Sequence, residues 1–474
     1  MKKQLSKRMV IIMLTVVFGF TMCACNGKNG NEKNNVSFSM DDFNITPESY
    51  GKGEQKTEVS GNTTSSDLKT EKKTDNSFGK TVSSSKKEKN TSSDYYYIPQ
   101  TDEPQEGFTA MKIPSRKSAY KLSNTYSKIK SGETVKVVYY GGSVTNGNGA
   151  SDDEKTSYRA LTTAYLKTLS SKVIETNLCI GGTGTYLAAA RFEHDVISVN
   201  PDLLIIEFAI NDVYSGINAE QSEKNLEYMV KELYEKNPYA DIIIALVTNK
   251  SNYGVQYKAY KAHVAVANHY GIPVVDLGGE MYNRLKGGYD GFQVTDSVHP
   301  NDTGHKLYAN IMIDALKELF VDKPISAHKR PAETLCKNGF SSLTNTLASK
   351  ITKDNKWSLY SWFNNTDYEK VGSPLRSSAA LKTLYPKYLA PDDVGNTLSF
   401  TFTGNSFGFI GTLKEGTKCI MEIDGNYSKT VIGTSNTGLI EYPVFENLSN
   451  ASHTVKITSE GNRNMTIASF VTTK

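Results

Sequence analysis

Three side chains in this sequence have the types and order of a nucleophilic relay. Ser143 closes the apolar run "VKVVYYGGS", and Asp296 and His299 stand three residues apart in "DSVHPNDTGH". A serine hydroxyl becomes a nucleophile when a neighbouring base takes its proton. Residues i and i+3 of a helical turn or tight loop share a face. The Asp296 carboxylate can therefore receive the His299 Nδ1–H, which fixes the tautomer that leaves Nε2 as the base. Attack on a carbonyl carbon also needs donors for the developing oxyanion. The N–H of Ser143, the N–H of Gly182 in "NLCIGGTGT" and the side-chain amide of Asn211 in "EFAINDVY" are the candidates. Loss of one such donor typically costs about 3 kcal/mol of transition-state stabilisation.

Each residue has a plainer reading as well. Glycines after a strand can cradle a phosphate, but neither GxxxxGKS nor a GxGxxG in a dinucleotide-binding context occurs. Ser143 could be an ordinary turn serine. Asn211 could cap a helix, although Asp212 beside it is the better structural residue. His305 competes with His299 as a base, but it opens an amphipathic helix and lacks an acid at the right offset. His263 and His269 lie within a helix and read as packing or surface residues, and His194 follows Glu193 on another helix and reads the same way. The five cysteines, Cys23, Cys25, Cys179, Cys336 and Cys419, include no CxxC and no Cys/His cluster with zinc-ligand spacing. No metal and no organic cofactor is expected. A Cys336–Cys419 bridge is left open.

The elements that must carry these residues alternate. Over residues 107–325, "VKVVYY", "VIETNLC", "DLLIIEFA", "DIIIALVT" and "IPVVDL" are short, Val/Ile-rich and nearly continuous in apolar character, as strands buried on both faces are. Between them lie the amphipathic stretches "SYRALTTAYLKTLSS", "TYLAAARFEHDVISV", "SEKNLEYMVKELYEKN" and "YKAYKAHVAVANHYG", and "GHKLYANIMIDALKELF" closes the unit. Strands alternating with helices predict a parallel sheet with helices on both faces. Ligands of such sheets bind at the carboxyl ends of the strands, where Ser143, Gly182 and Asn211 fall. Residues 332–474 differ. "NTLSFTFTGNSFGFIGTL" alternates aromatic with small or polar residues, "KCIMEIDGNYSKTVI" places Asp424-Gly425 at a hairpin turn, and "HTVKITSEGNRNMTIASFVTT" reads as two strands around a turn. This region is expected to be an all-β sandwich. Trp357 and Trp362 either fill its core or stack on sugar rings, the core reading being favoured.

The N-terminus reads as a targeting segment. "MKKQLSKR" is basic, "MVIIMLTVVFGFTM" is apolar but short of the roughly 20 residues of a spanning helix, and Ala24-Cys25 follows. Residues 1–25 resemble a bacterial lipoprotein signal with Cys25 as the lipidated residue, which implies an anchor on the extracellular side of the cytoplasmic membrane; the alternatives are plain secretion and an uncleaved anchor. Residues 26–106, rich in Ser, Thr, Lys and Asn, have little apolar surface to bury and are expected to be a disordered tether. It would serve reach through a cell wall or act as a solubilising spacer. Net charge over the 474 residues is +4, too mild to indicate nucleic acid.

The four blocks resemble those of the SGNH, or GDSL-like, hydrolase superfamily over about Val135 to Phe320. Ser143 matches the nucleophile, in a "GGS" variant of Gly-Asp-Ser. Gly182 matches the oxyanion glycine, Asn211 the third block, and Asp296 and His299 the Asp-x-x-His block. Gly142 departs from the family's aspartate, and Ala209 from its glycine, which is expected to narrow the pocket slightly. The resemblance implies a flavodoxin-like three-layer α/β/α sandwich and an ester hydrolase. With the tether and the β-domain, the expected substrates are short acyl esters, O-acetyl groups above all, on carbohydrate or cell-wall glycan. Two other readings remain: an O-acyltransferase acting on glycans through the same triad, and a glycan-binding surface protein without activity.

Overall fold

The structure is a computed structural model. It describes residues 94–96, 120–249, 258–284, 296, 298–354, 356–361, 379–433, 439–461 and 464–474. The signal segment with Cys25, nearly all of the tether, and Trp362 lie outside the described residues. Within the segment read as tether, strand β1 (Asp94–Tyr96) pairs in parallel with an edge strand of the C-terminal domain.

The first domain begins with helix α1 (Ser123–Ser131) and is built on five strands: β2 (Val135–Gly141), β3 (Val173–Asn177), β4 (Leu203–Glu207), β5 (Asp241–Leu246) and β6 (Val274–Asp276). All neighbours are parallel, in the order β3-β2-β4-β5-β6. Crossover helices α3 (Tyr158–Leu169), α4 (Thr185–Phe192), α6 (Ala219–Lys236) and α7 (Lys258–Tyr270) join successive strands, and α9 (Asp302–Leu319) closes the layer. Every residue of β4 and β5 is buried, which is what their unbroken apolar sequences require of central strands covered on both sides. The order, with β2 inside and β3 outside, is the flavodoxin-like doubly wound arrangement, and its switch point lies between β2 and β4. Short helices α2 (Ser143–Asn146), α5 (Ala209–Ser215) and α8 (Leu277–Arg284) follow β2, β4 and β6 directly. The stretch "TYLAAARFEHDVISV" holds a feature that its periodicity does not show. Helix α4 passes into a π-helical turn at Glu193–Ile197, where Arg191 pairs with Asp195 at 2.5 Å and lies 4.3 Å from the Tyr140 ring centroid.

The second domain is a sandwich of two mainly antiparallel sheets. One has the order β1-β13-β12-β15-β10, from β10 (Thr397–Gly404), β12 (Lys418–Ile423), β13 (Tyr427–Ile432) and β15 (Ala451–Ser459). The other has the order β14-β11-β16-β9-β8, from β8 (Trp357–Ser361), β9 (Lys387–Pro391), β11 (Ser406–Leu413), β14 (Leu439–Phe445) and β16 (Met465–Thr473), with β7 (Leu343–Leu347) also on β16. Asp424 and Gly425 both have positive φ, 53° and 67°, and are the central residues of a tight turn closed by the Asn426 N–H on the Ile423 carbonyl, within the three-residue loop between paired Ile423 and Tyr427. Trp357 is fully buried in the core between the sheets, with Phe407, Phe409 and Phe470. The two strands of "HTVKITSEGNRNMTIASFVTT" do not pair with each other. They belong to opposite sheets.

The two domains share a further apolar cluster. Ile180, Tyr186, Leu187 and Ile217 of the first pack against Tyr385, Tyr388, Ile410, Ala468 and Val471 of the second. All nine residues of β16 are buried for this reason: one face meets the sandwich core and the other meets α4. Cys179, Cys336 and Cys419 are free and buried, so Cys336 and Cys419 do not pair.

Candidate active site

Strand β2 stops where Gly141 and Gly142 lead into α2, and Ser143 is the first residue of that short helix. Neither glycine has room for a side chain. A Cβ on Gly141 would lie 2.8 Å from the Glu207 carbonyl, and one on Gly142 would lie 2.5 Å from Asn211 Nδ2. The glycine found where the family carries aspartate is thus the residue that lets the Asn211 amide approach the nucleophile's turn. Ala209, the other departure, is buried in the first turn of α5.

Ser143, His299 and Asp296 meet in the expected relay. His299 Nε2 is 2.7 Å from Ser143 Oγ, and His299 Nδ1 is 2.6 Å from Asp296 Oδ2. The second Asp296 oxygen accepts the backbone N–H groups of Val298, at 2.7 Å, and His299, at 2.9 Å. Burial works to raise the Asp296 carboxyl, but those two N–H groups and the imidazole outweigh it and hold the group down at about 2. It is therefore an anion at any ordinary pH. The His299 loop can come this close because residue 149 is glycine, with φ 94°; a Cβ there would lie 2.2 Å from the Pro300 carbonyl and 3.0 Å from His299 Cβ.

The three proposed oxyanion donors gather beside Ser143. As the first residue of α2, Ser143 has an N–H with no partner inside the helix. The loop after β3 brings Gly181 and Gly182 alongside, and a Cβ on Gly181 would lie 3.2 Å from Ser143 Cβ. Gly182 takes the left-handed conformation, φ 73°. Asn211 Nδ2 donates to the Thr183 carbonyl at 2.8 Å, which fixes the amide against the same loop. An amide carries two N–H donors, so a second is left for a developing oxyanion. The arrangement can thus activate a hydroxyl, hold the resulting imidazolium, and stabilise a tetrahedral oxyanion. Among the described residues no group of three or more His, Cys, Asp or Glu side chains could hold a metal ion.

The competing histidines have other partners. His305 is fully buried; its Nδ1 accepts from the Tyr158 N–H at 3.3 Å and its Nε2 donates to the Asn148 carbonyl at 3.1 Å. Burial lowers it to about 4, so it stays neutral and braces the loop after Ser143. His263 is buried against Asp212 and Ser222, while His269 is half-buried, with its Nε2 on the Glu333 carbonyl, and His194 is exposed. Sequence reasoning missed Glu207, the last residue of β4. Its carboxyl lies under the nucleophile's turn and accepts from the Thr145 hydroxyl at 2.8 Å. Burial pushes it up to about 8, the Thr145 bond offsetting part of this and the Asp212 charge adding to it. A single acid inside the apolar run "LLIIEFA" was the available signal.

The profile of the GDSL-like Lipase/Acylhydrolase family matches residues 139–307. No curated protein sequence matches the chain. Among solved structures, the chain is similar to a two-domain esterase (CEX) active on acetylated mannans. The TM-score is 0.62 at 19% identity, over 76% of this chain and 97% of that one. The same esterase co-crystallised with mannopentaose gives 0.58 at 20% identity, over 73% and 92%. The acetylxylan esterase Axe2 from Geobacillus stearothermophilus gives 0.34 at 22% identity, over 38% and 94%. The likeness to the two-domain structure runs well past residue 307, so it takes in both layers of the architecture described above. Residues 139–307, with Ser143, Gly182, Asn211, Asp296 and His299 at the carboxyl ends of a flavodoxin-like sheet, form a GDSL-like lipase/acylhydrolase domain.

Proposed function

We propose that this protein is a serine esterase that removes O-acetyl groups from polysaccharide outside the cytoplasmic membrane. The observation that carries the reading is the unbroken relay from Asp296 through His299 to Ser143, at 2.6 and 2.7 Å. Ser143 Oγ attacks the ester carbonyl while His299 Nε2 takes its proton. The imidazolium is held by Asp296, and the oxyanion by the N–H groups of Ser143 and Gly182 and the Asn211 amide. Collapse of the tetrahedral intermediate expels the sugar oxygen, which receives the proton from His299. Water, deprotonated by His299, then attacks the acyl-serine, and the acid leaves. Acetylated mannan and xylan are the substrates to try first, in view of the acetylated mannans on which the two-domain relative acts. The basic and apolar segments before Cys25 support a lipid anchor, with residues 26–106 as its tether. The sandwich is a candidate for glycan contact.

Acetate release from acetylated mannan and xylan, and p-nitrophenyl acetate turnover, test this directly. Wild-type turnover that disappears in Ser143→Ala is expected. Equal rates in the two proteins would overturn the reading, and acetyl transfer to an added acceptor sugar in place of acetate release would reassign the enzyme to acyl transfer.

A further inference from the structure

The loop that carries Gly182 is fastened by both domains. Helix α4 starts after Gly184, which has no side chain to cap it. A Cβ there would lie 2.6 Å from Asp212 Oδ1 and 2.7 Å from Ile217 Cδ1. Two buried carboxyl groups from elsewhere take the helix's free N–H groups instead. Asp212, next to Asn211, accepts from the Thr185 N–H at 2.6 Å and the Thr185 hydroxyl at 3.0 Å. Glu441, on β14 of the sandwich, accepts the Gly184 N–H at both oxygens, at 2.8 and 2.9 Å, and the Leu187 N–H at 3.3 Å. One of its oxygens also takes the Ser215 hydroxyl, at 2.9 Å. Glu441 is only 1% exposed.

An acid at this depth costs free energy unless its contacts return it. The apolar cluster between the domains already joins them, so adhesion alone does not call for a carboxyl here. The contacts themselves indicate a use. Gly184 is two residues after the oxyanion glycine Gly182, and Ser215 is on α5, the helix that carries Asn211. One side chain thus links the two elements that bear two of the three oxyanion donors.

We propose that Glu441 is a positioning residue for the oxyanion hole, so that the β-sandwich completes the active site of the first domain. This rests on the esterase reading. Without Glu441, the Gly182 loop and α5 can drift apart, and a displacement near 1 Å from oxyanion geometry costs on the order of 10²-fold in rate. The oxyanion develops only in the transition state, so the loss falls on kcat.

The test uses the full chain, with p-nitrophenyl acetate kinetics and the far-UV circular dichroism of each variant. Glu441→Ala is expected to lower kcat about 10- to 100-fold with KM within about 3-fold of wild type. Glu441→Gln keeps an acceptor for the two N–H groups and offers its own N–H to Ser215 Oγ; it is expected to recover kcat to within about 3-fold of wild type. If Glu441→Ala does not fold, Glu441→Asp replaces it. That variant keeps the carboxyl group but draws it back by one methylene, and the same selective loss of kcat is expected. A folded Glu441→Ala or Glu441→Asp with wild-type kcat overturns the positioning role, as does a Glu441→Gln as impaired as Glu441→Ala. A wild type no faster than Ser143→Ala removes the esterase reading itself, and Glu441's role with it.

Discussion

Asp296 has two tasks in this relay, and one substitution separates them. One oxygen accepts two backbone N–H groups that shape its loop, and the other holds His299 Nδ1. In Asp296→Asn, the amide oxygen can keep the backbone bonds while the NH₂ faces Nδ1. Nδ1 must then accept, the proton moves to Nε2, and Ser143 faces a donor instead of a base. The expected result is a folded protein with kcat reduced by about 10⁴-fold, as the wrong tautomer costs in other serine hydrolases; a reduction below tenfold on p-nitrophenyl acetate would contradict this tautomer argument. The relay was legible in the sequence because Asp-x-x-His is a local spacing and Ser143 follows a strand. Glu441 was not. It interrupts the apolar run "LIEYPVF", which is a signal that something polar is buried, but its donor Gly184 lies 257 residues away and no local pattern names it.

At the scale of elements, close approach of backbones decides the site. The His299 loop reaches Ser143 only by passing over Gly149, where a Cβ would lie 2.2 Å from the Pro300 carbonyl. Gly149→Ala therefore has to push that loop outward, and φ 94° adds strain for any residue with a side chain. Loss of kcat by about 10²-fold with the fold retained is expected; wild-type kcat would show that the loop closes by another route. Gly142→Asp makes the same point against the family pattern. It restores the usual aspartate, yet its Cβ would lie 2.5 Å from Asn211 Nδ2. It is expected to reduce kcat, not raise it, and higher activity would refute the packing argument. The five parallel strands and their crossover helices were readable from apolar runs and helical periodicity. The sheet assignment in the sandwich was not, because β15 and β16 are contiguous in sequence yet lie in opposite sheets. Alternation within a strand does not record which sheet it joins.

At the scale of the whole molecule, the two domains should unfold together. Their shared cluster buries Tyr186 and Leu187 of α4 against Tyr385, Tyr388 and Val471. The connecting chain is fastened as well: the N–H groups of Leu335 and Cys336 donate to the Glu227 carboxylate at 2.6 and 2.9 Å. Deleting residues 332–474 would expose that apolar face and remove Glu441, so lost activity or lost retention on polysaccharide after such a truncation would not measure glycan binding by the sandwich. Calorimetry of the full chain is expected to show a single transition, with two resolved transitions contradicting the coupling. Its midpoint should also depend on pH in a defined direction. Burial raises the Glu207 and Glu441 carboxyls from 4.5 to about 8, with Asp212 adding to each. Between those pH values the folded protein binds more protons than the unfolded chain, so stability from these groups is full below about 4.5 and declines as pH rises through 8. The midpoint is expected to fall from pH 6 to pH 9, and Glu207→Gln, which cannot ionise, should fall less steeply. A midpoint that rises over this range, or an equal slope in Glu207→Gln, would mean that the carboxyl under the nucleophile's turn is not held protonated in the folded protein.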